Sequence, residues 1–176
     1  MRGLIWLTMI GLAVPLAAHS QTAANPVVSS ARDVFTHLSG NVVAAAEEMP
    51  ADKYSYHPTP EQMSFGKVVS HITQSGNAVC AMLAGTPAPQ GPKVSETDSK
   101  DALVAALKAS TDFCAKTLAN LDDSKLGDTI TFFRGAQAPR ARALLELTGD
   151  FADHYSQMAG YLRLNGMLPP SAKPRK

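Results

Sequence analysis

Apolar side chains return every three or four residues along four long stretches of this chain, and three of the four end at proline or glycine. Val27, Ala31, Val34, Phe35, Leu38, Val42, Ala45, Ala46 and Met49 fall on one face of a helix that Pro50 stops. A second stripe runs Phe65, Val68, Val69, Ile72, Gly76, Val79, Cys80, Leu83, with Ser64 placed to cap its start. A third covers about Lys100 to Leu121, with Leu103, Ala106, Leu107, Ser110, Cys114, Leu118 and Leu121 inward. The fourth runs from about Arg140 to Asn165 and ends at Gly166, with Pro169 and Pro170 behind it. Helices that bury one stripe each must share a core, so an all-α four-helix bundle is predicted.

The connections narrow the topology. Residues 85–99, GTPAPQGPKVSETDS, form a proline-rich loop far longer than an antiparallel helical hairpin needs. It is long enough to cross the bundle and start the third helix parallel to the second. At about 1.5 Å per residue, Cys80 and Cys114 lie roughly 24 and 21 Å along their helices. Parallel neighbours put them at one level. The Thr129–Phe133 run has β character but no visible partner, and is read as an extended loop. His37 is read as a surface residue paired with Asp33 one turn away.

The first twenty residues are set apart from the bundle. Arg2 precedes a mostly apolar run, Leu4 to Ala18, and Ala18-His19-Ser20 offers small residues before Gln21. This is the order of a secretory signal, residues 1–20, and the run is shorter than the roughly 20 residues that span a bilayer. The expectation is a periplasmic or secreted protein, with the bundle in 21–170 and a disordered basic tail in 171–176. Oxidising surroundings let Cys80 and Cys114 pair. Both lie on apolar faces, where two free thiols also bury well. The disulfide is the prediction. Lys and Arg total 16 against 15 Asp and Glu, so neither nucleic acid nor a membrane surface has an electrostatic attraction here.

Asp150 and His154 are four apart on one face of the last helix, and His71 borders the stripe of the second. If those two helices are antiparallel neighbours, two imidazoles and one carboxylate converge. That donor set suits Zn, Ni, Fe or Mn. A lone D-x-x-x-H is also an ordinary solvated helix face.

Two longer segments carry a resemblance. YSYHPTPEQMSFGKVVSHI (54–72) and DHYSQMAGYLRLNGMLPP (153–170) resemble the two signature regions of the DinB-like family of four-helix metalloproteins. The resemblance implies an up-down-down-up bundle and a divalent metal held by three side chains. It places metal ligands at His71 and His154. The family's remaining histidine falls on Asp150, a departure with two readings: aspartate ligates the same ions in a harder, more anionic site, or the site has lost affinity. The resemblance also implies thiol-dependent transferase or metal-dependent hydrolase chemistry on a small-molecule substrate.

Within that reading Gln157, close to His154, orients a bound ligand, while Tyr155 and Arg163 have less defined roles and no catalytic residue is identified. No obvious general base stands beside the site; Glu146, one turn before Asp150, is the nearest candidate. The competing reading is a non-catalytic metal- or ligand-binding bundle. Homodimerisation is an expectation under either. Glu-x-x-His pairs for a di-iron centre are missing from the sequence.

Overall fold

The computed structural model describes residues 25–90 and 93–174. The segment expected to be a secretory signal, 1–20, lies outside the described residues. Four helices make the body: α1 (Pro26–Glu48), α2 (Phe65–Ala84), α3 (Lys100–Ala119) and α4 (Arg140–Leu164). Among the described residues no helix is long and apolar enough to cross a membrane.

The starts of α1, α2 and α3 each have a physical cause. Ser64 Oγ accepts from Lys67 N at 3.1 Å, and Ser99 Oγ accepts from Ala102 N at 3.3 Å. α1 has no cap of its own. Asn25 stands in the left-handed region (φ 59°), and Pro26 opens the helix. Asp123, from the loop after α3, supplies the missing acceptor: its carboxylate takes Val27 N at 3.0 Å and Val28 N at 2.8 Å. A negative charge there also favours the helix N-terminus.

Cross-helix contacts give the directions. The Thr73 carbonyl meets Ser110 Oγ at 3.0 Å, and Cys80 is bonded to Cys114, so α2 and α3 run parallel. Phe35 packs edge-on against Phe151 and Lys173 pairs with Glu48, so α1 and α4 are parallel too. Ser75 meets Asp150 and Tyr161 meets the Met63 carbonyl, so α2 and α4 are antiparallel. The order is up-down-down-up with a long crossover between α2 and α3.

Three local readings are corrected. Val28, not Val27, enters the core, and Val27 and Val34 are 54% and 47% exposed. The rest of the predicted stripe is buried at Phe35, Val42, Ala45, Ala46 and Met49, and Val28 extends the seven-residue spacing 28, 35, 42, 49. Thr129–Thr131 (β1) is not a lone extended loop: it pairs antiparallel with Gln137–Pro139 (β2), Ile130 opposite Ala138. Its partner is three residues ending in proline, which carries no strand signal. The segment after Pro170 is docked at its start rather than disordered. Residues Pro170–Ala172 form a 3₁₀ turn, Ser171 N donates to Tyr155 Oη at 2.8 Å, and Lys173 Nζ reaches Glu48 at 2.6 Å.

The Cys80–Cys114 disulfide joins α2 to α3 with Cα atoms 5.3 Å apart, both residues fully buried. It closes a loop that contains the crossover. Loop-closure entropy at this span corresponds to about 3–4 kcal/mol. Reduced protein is therefore expected to unfold at clearly lower urea than oxidised protein, by about that free energy. Coincident urea curves would show that the bridge constrains nothing in the unfolded chain.

Candidate metal centre

The antiparallel contact of α2 with α4 brings His71, Asp150 and His154 together, as their spacing predicts. One ligand-type atom from each lies within 4.8 Å of the others. Asp150 Oδ1 stands 3.4 Å from His154 Nε2 and 3.7 Å from His71 Nε2. Those separations are long for hydrogen bonds. They match two donors sharing one ion: ligand atoms about 2.1 Å from a tetrahedral centre are about 3.4 Å apart. The donor chemistry therefore fits a divalent transition metal.

The three side chains grade from core to solvent. The side chains of His154, Asp150 and His71 are 10%, 18% and 43% exposed. His71 and His154 meet edge to face, ring centroids 4.6 Å apart. The open side of the group is therefore the His71 side.

A chain of hydrogen bonds fixes the His154 tautomer. The Met63 carbonyl can only accept, so Tyr161 Oη donates to it at 2.8 Å. Tyr161 Oη must then accept from Gln157 Nε2 at 3.0 Å. That turns Gln157 Oε1 toward His154 Nδ1, 3.1 Å away, where it can only accept. Nδ1 carries the proton, and the lone pair of a neutral ring is left on Nε2, facing Asp150. Metal-binding histidines are oriented by such an outer partner. Gln157 is thus close to the centre as expected, but it touches His154 itself.

Ser75 holds the carboxylate from the other side, its Oγ donating to Asp150 Oδ2 at 2.6 Å. Ser75 and Tyr161 were not singled out by sequence. Each lies four residues past a residue that was, Ser75 after His71 and Tyr161 after Gln157, and that spacing is the signal that finds them.

Other candidates lie elsewhere or are otherwise engaged. Glu146 pairs with Arg142 at 3.6 Å. Tyr155 Oη is taken by the Ser171 amide, and Arg163 is exposed in the last turn of α4. His37 Nε2 pairs with Asn41 Nδ2 at 3.3 Å rather than with Asp33.

Burial pushes the Asp150 carboxyl up, but the contact with His154, the Ser75 hydrogen bond and the charge of both imidazoles outweigh it, leaving it below the usual range. The Asp150 contact raises His154 above its ordinary value. Burial opposes that rise, and Gln157 adds to it. In metal-free protein Asp150 contributes stability above its unfolded pKa, lost as pH falls through the lower folded value. His154 contributes below its unfolded pKa, lost as pH rises through the higher folded value. Both contributions coexist between about pH 4 and 6.5. Urea titrations of metal-free wild type and Asp150→Asn are expected to differ most in that window. A pH-independent difference would show that the carboxylate and imidazole are not linked.

A family model described as the DinB superfamily matches residues 35–158. No curated protein matches the chain by sequence. Among solved structures, a DinB-like protein from Bacillus cereus superposes with a TM-score of 0.67 at 18% identity, covering 81% of this chain and 95% of that one. A DinB-like protein from Bacillus subtilis gives 0.66 at 20%, covering 83% and 99%. A mycothiol-dependent maleylpyruvate isomerase gives 0.62 at 12%, covering 74% of this chain and 60% of its own. At these identities the likeness is one of fold, and it is the same bundle that the core stripes and cross-helix contacts define. With the family match spanning most of the four helices and the His71–Asp150–His154 group at their α2–α4 seam, the chain belongs to the DinB superfamily.

Proposed function

We propose that this is an exported protein that binds one divalent metal ion through His71, Asp150 and His154 and acts as a metal-dependent enzyme on a small molecule. The observation that carries the reading is the convergence of two imidazoles and a carboxylate within 4.8 Å across the α2–α4 seam. A divalent ion there supplies Lewis acidity, polarising a substrate oxygen or lowering the pKa of a coordinated water or thiol. Asp150 brings the one anionic donor, His154 a tautomer set by Gln157 and Tyr161, and His71 the edge nearest solvent. Export is supported by the order of residues 1–20 and by the buried disulfide. An oxidising compartment does not keep a low-molecular-weight thiol reduced. Hydrolysis is therefore favoured over the thiol dependence that the isomerase's name describes.

One observation favours a second reading, a non-catalytic metal-binding bundle. Glu146, the nearest base by sequence, is held by Arg142. Metal analysis of protein purified from its own host, followed by titration of metal-free protein with Zn, Ni, Fe and Mn, tests the site. Wild type is expected to bind at least one of them far more tightly than His71→Ala, Asp150→Ala or His154→Ala. Equal binding by all four proteins would sink the metal reading. Binding without turnover of any small ester, amide or lactone would favour the second.

A further inference from the structure

We propose that Ser75 is a specificity-determining positioning residue of this centre: its hydroxyl occupies Asp150 Oδ2, so that the carboxylate offers an ion one oxygen, Oδ1. The inference rests on the proposed His71–Asp150–His154 site and goes beyond it to which metal the site prefers.

The geometry is specific. Ser75 Oγ has two acceptors within reach, Asp150 Oδ2 at 2.6 Å and the Ile72 carbonyl at 3.3 Å. A hydroxyl has one proton. The shorter, charge-assisted bond takes it. Oδ1 is the oxygen that faces both imidazoles, at 3.4 and 3.7 Å. The two carboxylate oxygens are thus divided, one tied to α2 and one turned to the nitrogens. His71 and Ser75 are one turn apart on α2, and Asp150 and His154 are one turn apart on α4. The four side chains make a patch in which the hydroxyl sets the rotation of the carboxylate.

That division matters for the ion. A two-nitrogen, one-oxygen donor set with an open position suits a small ion that accepts four-coordination, such as Zn. Larger, harder ions such as Mn take more oxygen ligands. Freeing Oδ2 lets the carboxylate turn and chelate through both oxygens, which favours the harder ion. Outer-shell hydrogen bonds of this kind typically change metal affinity by about 10–100-fold.

The experiment compares wild type, Ser75→Ala, Ser75→Thr and Asp150→Ala in chelator-competition titrations with Zn and Mn, and records the visible spectrum of each with Co bound. Alanine is a better helix former than serine, so Ser75→Ala is expected to fold. The expected result is a Zn-to-Mn preference about tenfold narrower in Ser75→Ala than in wild type. Its Co absorption should be weaker, as for a higher coordination number, and Ser75→Thr, which keeps the hydroxyl, should resemble wild type. If Asp150→Ala loses the metal while Ser75→Ala keeps both the wild-type preference and the wild-type spectrum, Ser75 only packs and the inference is overturned with the metal site intact. If wild type binds no better than Asp150→Ala, the site itself fails and the inference falls with it.

Discussion

Asp150→Ala is expected to lower the affinity for the preferred divalent ion by about 100-fold or more while leaving the bundle folded. It removes the only carboxylate of the donor group, and with it the oxygen that both imidazoles face. The expected loss exceeds the roughly 10–100-fold that outer-shell partners control, because a ligand atom and its charge go together. Asp150→His restores a third donor and is expected to bind metal again, with preference moved toward nitrogen-favouring ions such as Zn or Ni. Calorimetric titration of metal-free protein reads both effects. An Asp150→Ala protein that binds as tightly as wild type would place any metal away from the α2–α4 seam.

The bundle and its parallel α2–α3 pair were legible because periodicity, loop length and the heights of Cys80 and Cys114 all point one way. The three ligand-type residues were legible for a similar reason: helical spacing sets which side chains share a face. What escaped depends on contacts between distant segments. No pattern in residues 122–128 announces that Asp123 caps α1. The Tyr161–Met63 bond ties α4 to the loop just before α2, and only the α2–α4 crossing places them together. The exchange of Val27 for Val28 has a similar origin. Adjacent valines are nearly equivalent to a periodicity reading, and the packing of Phe35 against Phe151 decides between them.

Phe151→Ala is expected to destabilise the protein by about 3–5 kcal/mol, a large fraction of the 5–15 kcal/mol typical of a domain. Phe151 is fully buried, and its ring meets Phe35 edge-on with centroids 5.0 Å apart. It also lies where α2 comes close. A Cβ added at Gly76 would stand 3.5 Å from Phe151 Cε2 and 3.0 Å from Ser110 Oγ, so the space around the ring has little slack. A cavity there cannot be filled by a neighbour without moving a helix, which places the cost toward the upper part of the range. Phe151 is also the residue after Asp150, and Gly76 is the residue after Ser75. The core contact and the carboxylate–hydroxyl contact therefore sit on the same turns of the same two helices. A ligand that binds only the folded chain offsets such a loss by about 2.7 kcal/mol at one hundred times its dissociation constant. Saturating metal is thus expected to recover part of the lost stability in Phe151→Ala and none of it in Phe151→Ala/Asp150→Ala. Urea unfolding with and without metal measures both. A Phe151→Ala loss below about 1 kcal/mol would contradict the tight packing at this level of the bundle. Equal recovery in the double variant would mean that the stabilising ion binds somewhere other than the α2–α4 seam.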